Sequence, residues 1–145
     1  RGPDDSPLRS TEIFHIRRLS WESLPPMAFG RVGASLVAMG PRRLIVCGGC
    51  GGPCASVESY DRASGSWKTL RPMLQNRQFA NSLLHGGHVY VCGGSVNGTV
   101  VRSAERLNLE TGTWEELPEM QTPRIGAVLC GTSQAAIARA AAATK

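Results

Sequence analysis

Three stretches of this chain carry the same set of unlike residues at the same spacing, and this limits the possible folds more than any other feature. They are residues 10–31, 56–77 and 103–124. Glu12, Glu58 and Glu105 stand nine residues before Trp21, Trp67 and Trp114. Leu24, Leu70 and Leu117 follow each Trp by three, Met27, Met73 and Met120 by six, and Arg31, Arg77 and Arg124 by ten. The copies lie 46 and then 47 residues apart. Chance does not align this many different residues at one period, and such a period is the mark of a repeat architecture.

Two further marks recur between the Arg of one copy and the Glu of the next. Gly48-Gly49 and Gly93-Gly94 each follow an apolar run that ends in Cys, Leu44 to Cys47 and Val89 to Cys92. An aromatic residue stands seven before the Trp in two copies, Phe14 and Tyr60, while the third has Leu107 there. Together these marks resemble the kelch repeat, and the resemblance covers residues 10–131. It implies an all-β fold of β-propeller blades, each a four-stranded antiparallel meander.

Taken in order, residues 1–9 are polar with Pro3 and Pro7 and read as a linker or disordered lead-in. Residues 10–24 supply the two outer strands of a blade, with an irregular turn at Arg18-Leu19 where the other copies have Ser64-Gly65 and Thr111-Gly112. Residues 31–70 and 77–117 each supply a complete blade, and residues 124–130 a single strand that opens another. Residues 132–145 are Ala-rich, which favours a short helix or else a structureless tail. Closed propellers have about four to eight blades, so the ring is expected to be incomplete. The chain is then a piece of a larger propeller, an arrested product, or a unit completed by another chain. One form of completion is self-association head to tail, with residues 124–130 joining residues 10–24 of a second copy.

The net charge of +5 comes from scattered arginines with no interleaved aromatics, so neither nucleic acid nor a membrane surface is expected as a partner. No apolar run approaches the length of a membrane span. Five cysteines at irregular spacing argue against a disulfide framework and for a reducing, cytoplasmic location. Cys47, Cys50 and Cys54 form C-x-x-C-x-x-x-C, which admits a zinc site with His85 or His88, or a redox pair. Against this, Cys47 and Cys92 share one repeat position at the end of an apolar strand, which explains Cys47 as a small core residue. The expectation is no metal, no cofactor and no enzyme, because nucleophile elbows and phosphate-cradling loops are absent.

Recurrence once per copy assigns the Glu and Arg positions to structure, as Arg–carboxylate or Arg–backbone ties near strand ends. The Trp position is expected to fill the space between blades. In a meander, the loop between the second and third strands shares a rim with the loop leading to the next blade. Those loops differ between copies while the framework does not, as a recognition surface would. By the resemblance, such rims bind short protein segments. Candidate partner-binding residues are Phe29, Arg71, Gln75, Asn76, Asn97, Thr99 and Arg102. The resemblance further implies substrate recognition for a cullin-based ubiquitin ligase. Its alternatives are actin association, or a fragment of a copper oxidase or sugar-processing enzyme.

Overall fold

The computed structural model describes residues 2, 4 and 6–131, and every element among them is a β-strand. The expected helix at 132–145 lies outside the described residues. Among the described residues no helix is long and apolar enough to cross a membrane. Strands β1 (Thr11–His15) and β2 (Ser20–Leu24) form a two-stranded sheet. Strands β3 (Ser35–Met39), β4 (Arg43–Cys47), β5 (Val57–Asp61) and β6 (Ser66–Leu70) form a four-stranded meander. A second meander joins β7 (Asn81–His85), β8 (His88–Cys92), β11 (Ala104–Asn108) and β12 (Trp114–Leu117). The three outer pairs share one register, with Thr11 opposite Leu24, Val57 opposite Leu70 and Ala104 opposite Leu117.

Local chemistry explains where the strands turn. Gly86 and Gly87 both have positive φ, 54° and 75°, which matches a two-residue turn to the twist of β7 and β8. The Asp61 and Asn108 side chains accept from backbone N–H groups two and three residues on, which closes the outer turns. Gly65 and Gly112 end those turns in the left-handed region. The first copy makes the same turn, against the expected irregularity, by forcing Leu19 to φ 49°. Leu19 is 77% exposed, so the strain is not offset by packing. Leu19→Gly is therefore expected to stabilise the protein by about 0.5–1 kcal/mol. An unchanged or lower denaturant midpoint would contradict this.

Three segments differ from the sequence expectation. The loop between the second and third strands of the second blade holds a small hairpin, β9 (Ser95–Val96) and β10 (Thr99–Val100), closed by Asn97 at φ 50° and Gly98 at φ 84°. Asn-Gly is the strongest short hairpin signal, so it was present in the sequence. The end of the lead-in is docked rather than loose. Met27 and Arg31 donate their backbone N–H groups to the Arg9 and Leu8 carbonyls at 2.9 Å each. Ala55 and Cys54, then Arg102 and Val101, do the same for Met73, Arg77, Met120 and Arg124. Leu8 and Arg9 thus fill a repeat position that spacing alone did not reveal. Finally, residues 124–131 form no strand, because among the described residues no second apolar strand is present to pair with them.

The core lies between the two meanders and contains Val37, Ile45, Cys47, Val57, Met73, Ala80, Val89, Val91, Leu107 and Trp114. The three tryptophans do not share one environment. Trp67 Nε1 donates to the Pro25 carbonyl at 2.8 Å, and Trp114 Nε1 donates to the Arg71 carbonyl at 3.0 Å. Each ring therefore leans on the loop of the preceding copy. Trp114 meets a whole four-stranded blade and is 9% exposed; Trp67 meets the two-stranded unit and is half-buried. Trp21 has no preceding copy among the described residues and is 67% exposed.

Candidate functional site

The loops at one end of the meanders are held by a buried ionic clamp that occurs twice. Arg77 Nε donates to Glu105 Oε1 at 2.7 Å, and its terminal nitrogens donate to the Gly93 and Ser103 carbonyls and to Ser103 Oγ. The other carboxylate oxygen, Glu105 Oε2, accepts from the Leu74 N–H at 2.6 Å. Arg31 likewise reaches Glu58 Oε1 at 2.8 Å and the Gly48 and Ser56 carbonyls, while Glu58 Oε2 accepts from the Ala28 N–H. Burial of these charges is tolerable because nearly every polar atom has a partner. The clamp joins the loop entering a blade to the third strand of that blade.

The glycine pairs complete the clamp. A Cβ on Gly48 would run into the Arg77 carbonyl oxygen, and one on Gly93 into that of Arg124. Those carbonyls accept from the Gly49 and Gly94 N–H groups at 2.8 Å each. The backbone of the next loop therefore lies directly on the glycine pair, which only residues without side chains at positive φ allow.

The rim built on these clamps comprises residues 25–34, 48–56, 71–80, 93–103 and 118–126. Arg71, Asn76, Asn97, Thr99 and Arg102 are exposed on it, and Arg102 pairs with Glu119 across two loops at 2.7 Å. Phe29 is half-buried, its ring lying close against Gly52. Gln75 is half-buried, and its side-chain oxygen is engaged internally. Its Oε1 accepts from Ser103 Oγ at 2.8 Å and from Arg77 at 3.3 Å, so it supports the clamp. Phe29 holds the same repeat position in the first copy and cannot do this. Arg31 Nε and Ser56 Oγ there have no partner among the described residues.

At the outermost copies the clamp is not formed within the described residues. Glu12 and Arg124 are both exposed, although each occupies its repeat position. The aromatic seven residues before the Trp packs against it, with ring centroids 5.0 Å apart for Phe14 and Trp21 and 5.2 Å for Tyr60 and Trp67.

The sequence profile of the kelch motif matches residues 30–74 and 76–121. This chain belongs to the kelch-repeat family. Kelch relatives include an F-box/kelch-repeat protein of Arabidopsis thaliana, 34% identical over 72% of this chain and 30% of its own length. Human kelch domain-containing protein 8B is 38% identical over 40% of this chain and 16% of its own. Human kelch-like protein 23 is 30% identical over 45% of this chain and 12% of its own. The chain thus spans under a third of the length of the curated relatives it matches. Its two four-stranded sheets are kelch blades in an incomplete ring, and kelch repeats generally mediate contacts between proteins.

The kelch frame also accounts for the cysteine motif. Cys47 is 3% exposed on β4, and burial pushes its thiol up to about 12. A thiol in that state is a poor nucleophile at neutral pH. Among the described residues no three His, Cys, Asp or Glu side chains come together to hold a metal ion. Cys47 is expected to resist alkylation at mildly alkaline pH in the native protein and to react fully once unfolded. Mass spectrometry of the labelled peptides reads this, and native labelling of Cys47 would contradict its placement.

Sequence reasoning missed four rim residues, the exposed apolar side chains Leu74, Phe79, Val100 and Ile125. Phe79 had a signal, because it stands where the other copies carry Gly33 and Gly126. Ser103, which completes the clamp, recurs as Ser56 and Ser10 and was legible by the same alignment.

Proposed function

We propose that this kelch segment is a non-catalytic recognition surface. It binds a protein or peptide segment through the clamped rim loops and, in the whole protein, presents it to a cullin-based ubiquitin ligase. The observation that carries the reading is the contrast between a clamp repeated twice and loops that differ at most of their exposed positions, as at Ala28, Leu74 and Gln121. Rigid support under variable side chains is how binding surfaces are built. The F-box/kelch-repeat and kelch-like relatives support the ligase context. The same reading places the protein in the reducing cytoplasm, in keeping with Cys47 as an apolar core side chain with a free thiol.

Immunoprecipitation of the full-length protein tests both parts. The expected result is co-purification of a cullin, and loss of the bound substrate but not the cullin on Arg71→Glu and Arg102→Glu. Absence of a cullin would end the ligase reading alone. Substrate binding indifferent to both charge reversals would end the rim reading.

A further inference from the structure

Three backbone positions one repeat apart, Gly33, Phe79 and Gly126, lie in the left-handed region at φ 68°, 54° and 61°. They hydrogen-bond in series. The Phe79 N–H donates to the Gly33 carbonyl at 2.6 Å, and the Gly126 N–H donates to the Phe79 carbonyl at 3.0 Å. The series steps from unit to unit along the rim, with Gly33 and Phe79 each just before the first strand of its blade. Glycine meets this backbone requirement without steric cost, whereas an aromatic L-residue does not.

Phe79 holds the position nonetheless, with 41% of its surface exposed. Its ring lies across Gly33, where a Cβ would come within 2.7 Å of two ring carbons. The Gly33 backbone therefore supports one side of the ring, while much of the side chain stays open to solvent. Strain of this kind persists where the surrounding structure imposes it and clusters at binding sites. A rigid aromatic residue held in this way is the type of residue that dominates interface energetics.

The charge of the rim loops indicates what this face takes. The rim loops carry exposed Arg71, Arg102 and Arg124, and their one exposed carboxylate, Glu119, already pairs with Arg102. Leu74 and Ile125 add exposed apolar surface at 52% and 48%. We propose that Phe79 anchors an acidic protein segment, with an apolar side chain of that segment stacked on the Phe79 ring and flanking carboxylates on the rim arginines. The proposal rests on the recognition function above and names its contact residue and ligand chemistry.

The test is a selection of short random peptides displayed on phage against this chain, followed by binding measurements on synthetic copies. Enriched peptides are expected to carry an aliphatic or aromatic residue flanked by Asp or Glu. Phe79→Gly and Phe79→Asn keep the left-handed backbone and are expected to weaken binding at least about tenfold. Phe79→Tyr, which keeps the ring, is expected to bind like the parent, and all three variants to retain a cooperative melt. Peptides that bind Phe79→Gly as tightly as the parent, or that lack the acidic pattern, would overturn the anchor while leaving the recognition function standing. No enrichment on the parent chain would overturn both.

Discussion

Replacing Arg77 by Met is expected to lower the unfolding free energy by about 3–5 kcal/mol. The change removes the ion partner of Glu105 where both side chains are 1% exposed. It also strips donors from the Gly93 and Ser103 carbonyls. An unpaired buried carboxylate costs far more than the net value of the pair, because it keeps its desolvation penalty and loses its compensation. The double variant Arg77→Met, Glu105→Leu should recover part of the loss, though not all, since the carbonyls stay unpaired. The same change at exposed Arg124 should stay within about 0.5 kcal/mol. Denaturant titrations of the parent, Arg77→Met, Glu105→Leu and the double variant read the coupling directly. A loss at Arg77 below about 1 kcal/mol would show that the clamp does not hold the rim.

The second large effect is at Trp114. Truncation to Ala is expected to cost about 3–5 kcal/mol, from the lost burial, the cavity left behind and the missing bond to the Arg71 carbonyl. Trp67→Ala should cost less, because only a two-stranded unit stands before it. Trp21→Ala should cost about 0.5–1 kcal/mol, chiefly its ring contact with Phe14. The order Trp114, Trp67, Trp21 is the test, read from melting temperatures of the single variants. Equal losses at all three would contradict the account of burial by the preceding blade.

These two predictions mark what was legible in the sequence and what was not. The positions of Glu, Trp, Met, Arg and the glycine pair could be read from their common spacing, and their strand registers coincide accordingly. Their burial could not, because it depends on which neighbour each copy meets. Trp21 and Trp114 have one sequence role and exposures of 67% and 9%. Residues 124–131 similarly match the start of a blade by sequence, yet a strand needs a partner to form a ladder. Leu19 took up a glycine conformation because the register of β1 and β2 left the turn no other length. At the rim, Gln75 was chosen for its polarity and place in a loop, and only the bond to Ser103 showed that it faces inward. Exposed, variable side chains such as Arg71 and Asn76 carry no periodic signal, so sequence can place them on the rim but cannot rank them.

The most direct measurement on the recognition surface is site-specific photo-crosslinking in the full-length protein. The crosslinker is placed in turn at Asn76 and Asn97 on the clamped rim, and at Ser64 and Thr111 in turns at the opposite ends of the strands. All four sites are exposed. The account predicts covalent capture of one bound protein from Asn76 and Asn97, and none of it from Ser64 or Thr111. Capture of that protein from Ser64 and Thr111 alone would place recognition on the other rim and contradict the account.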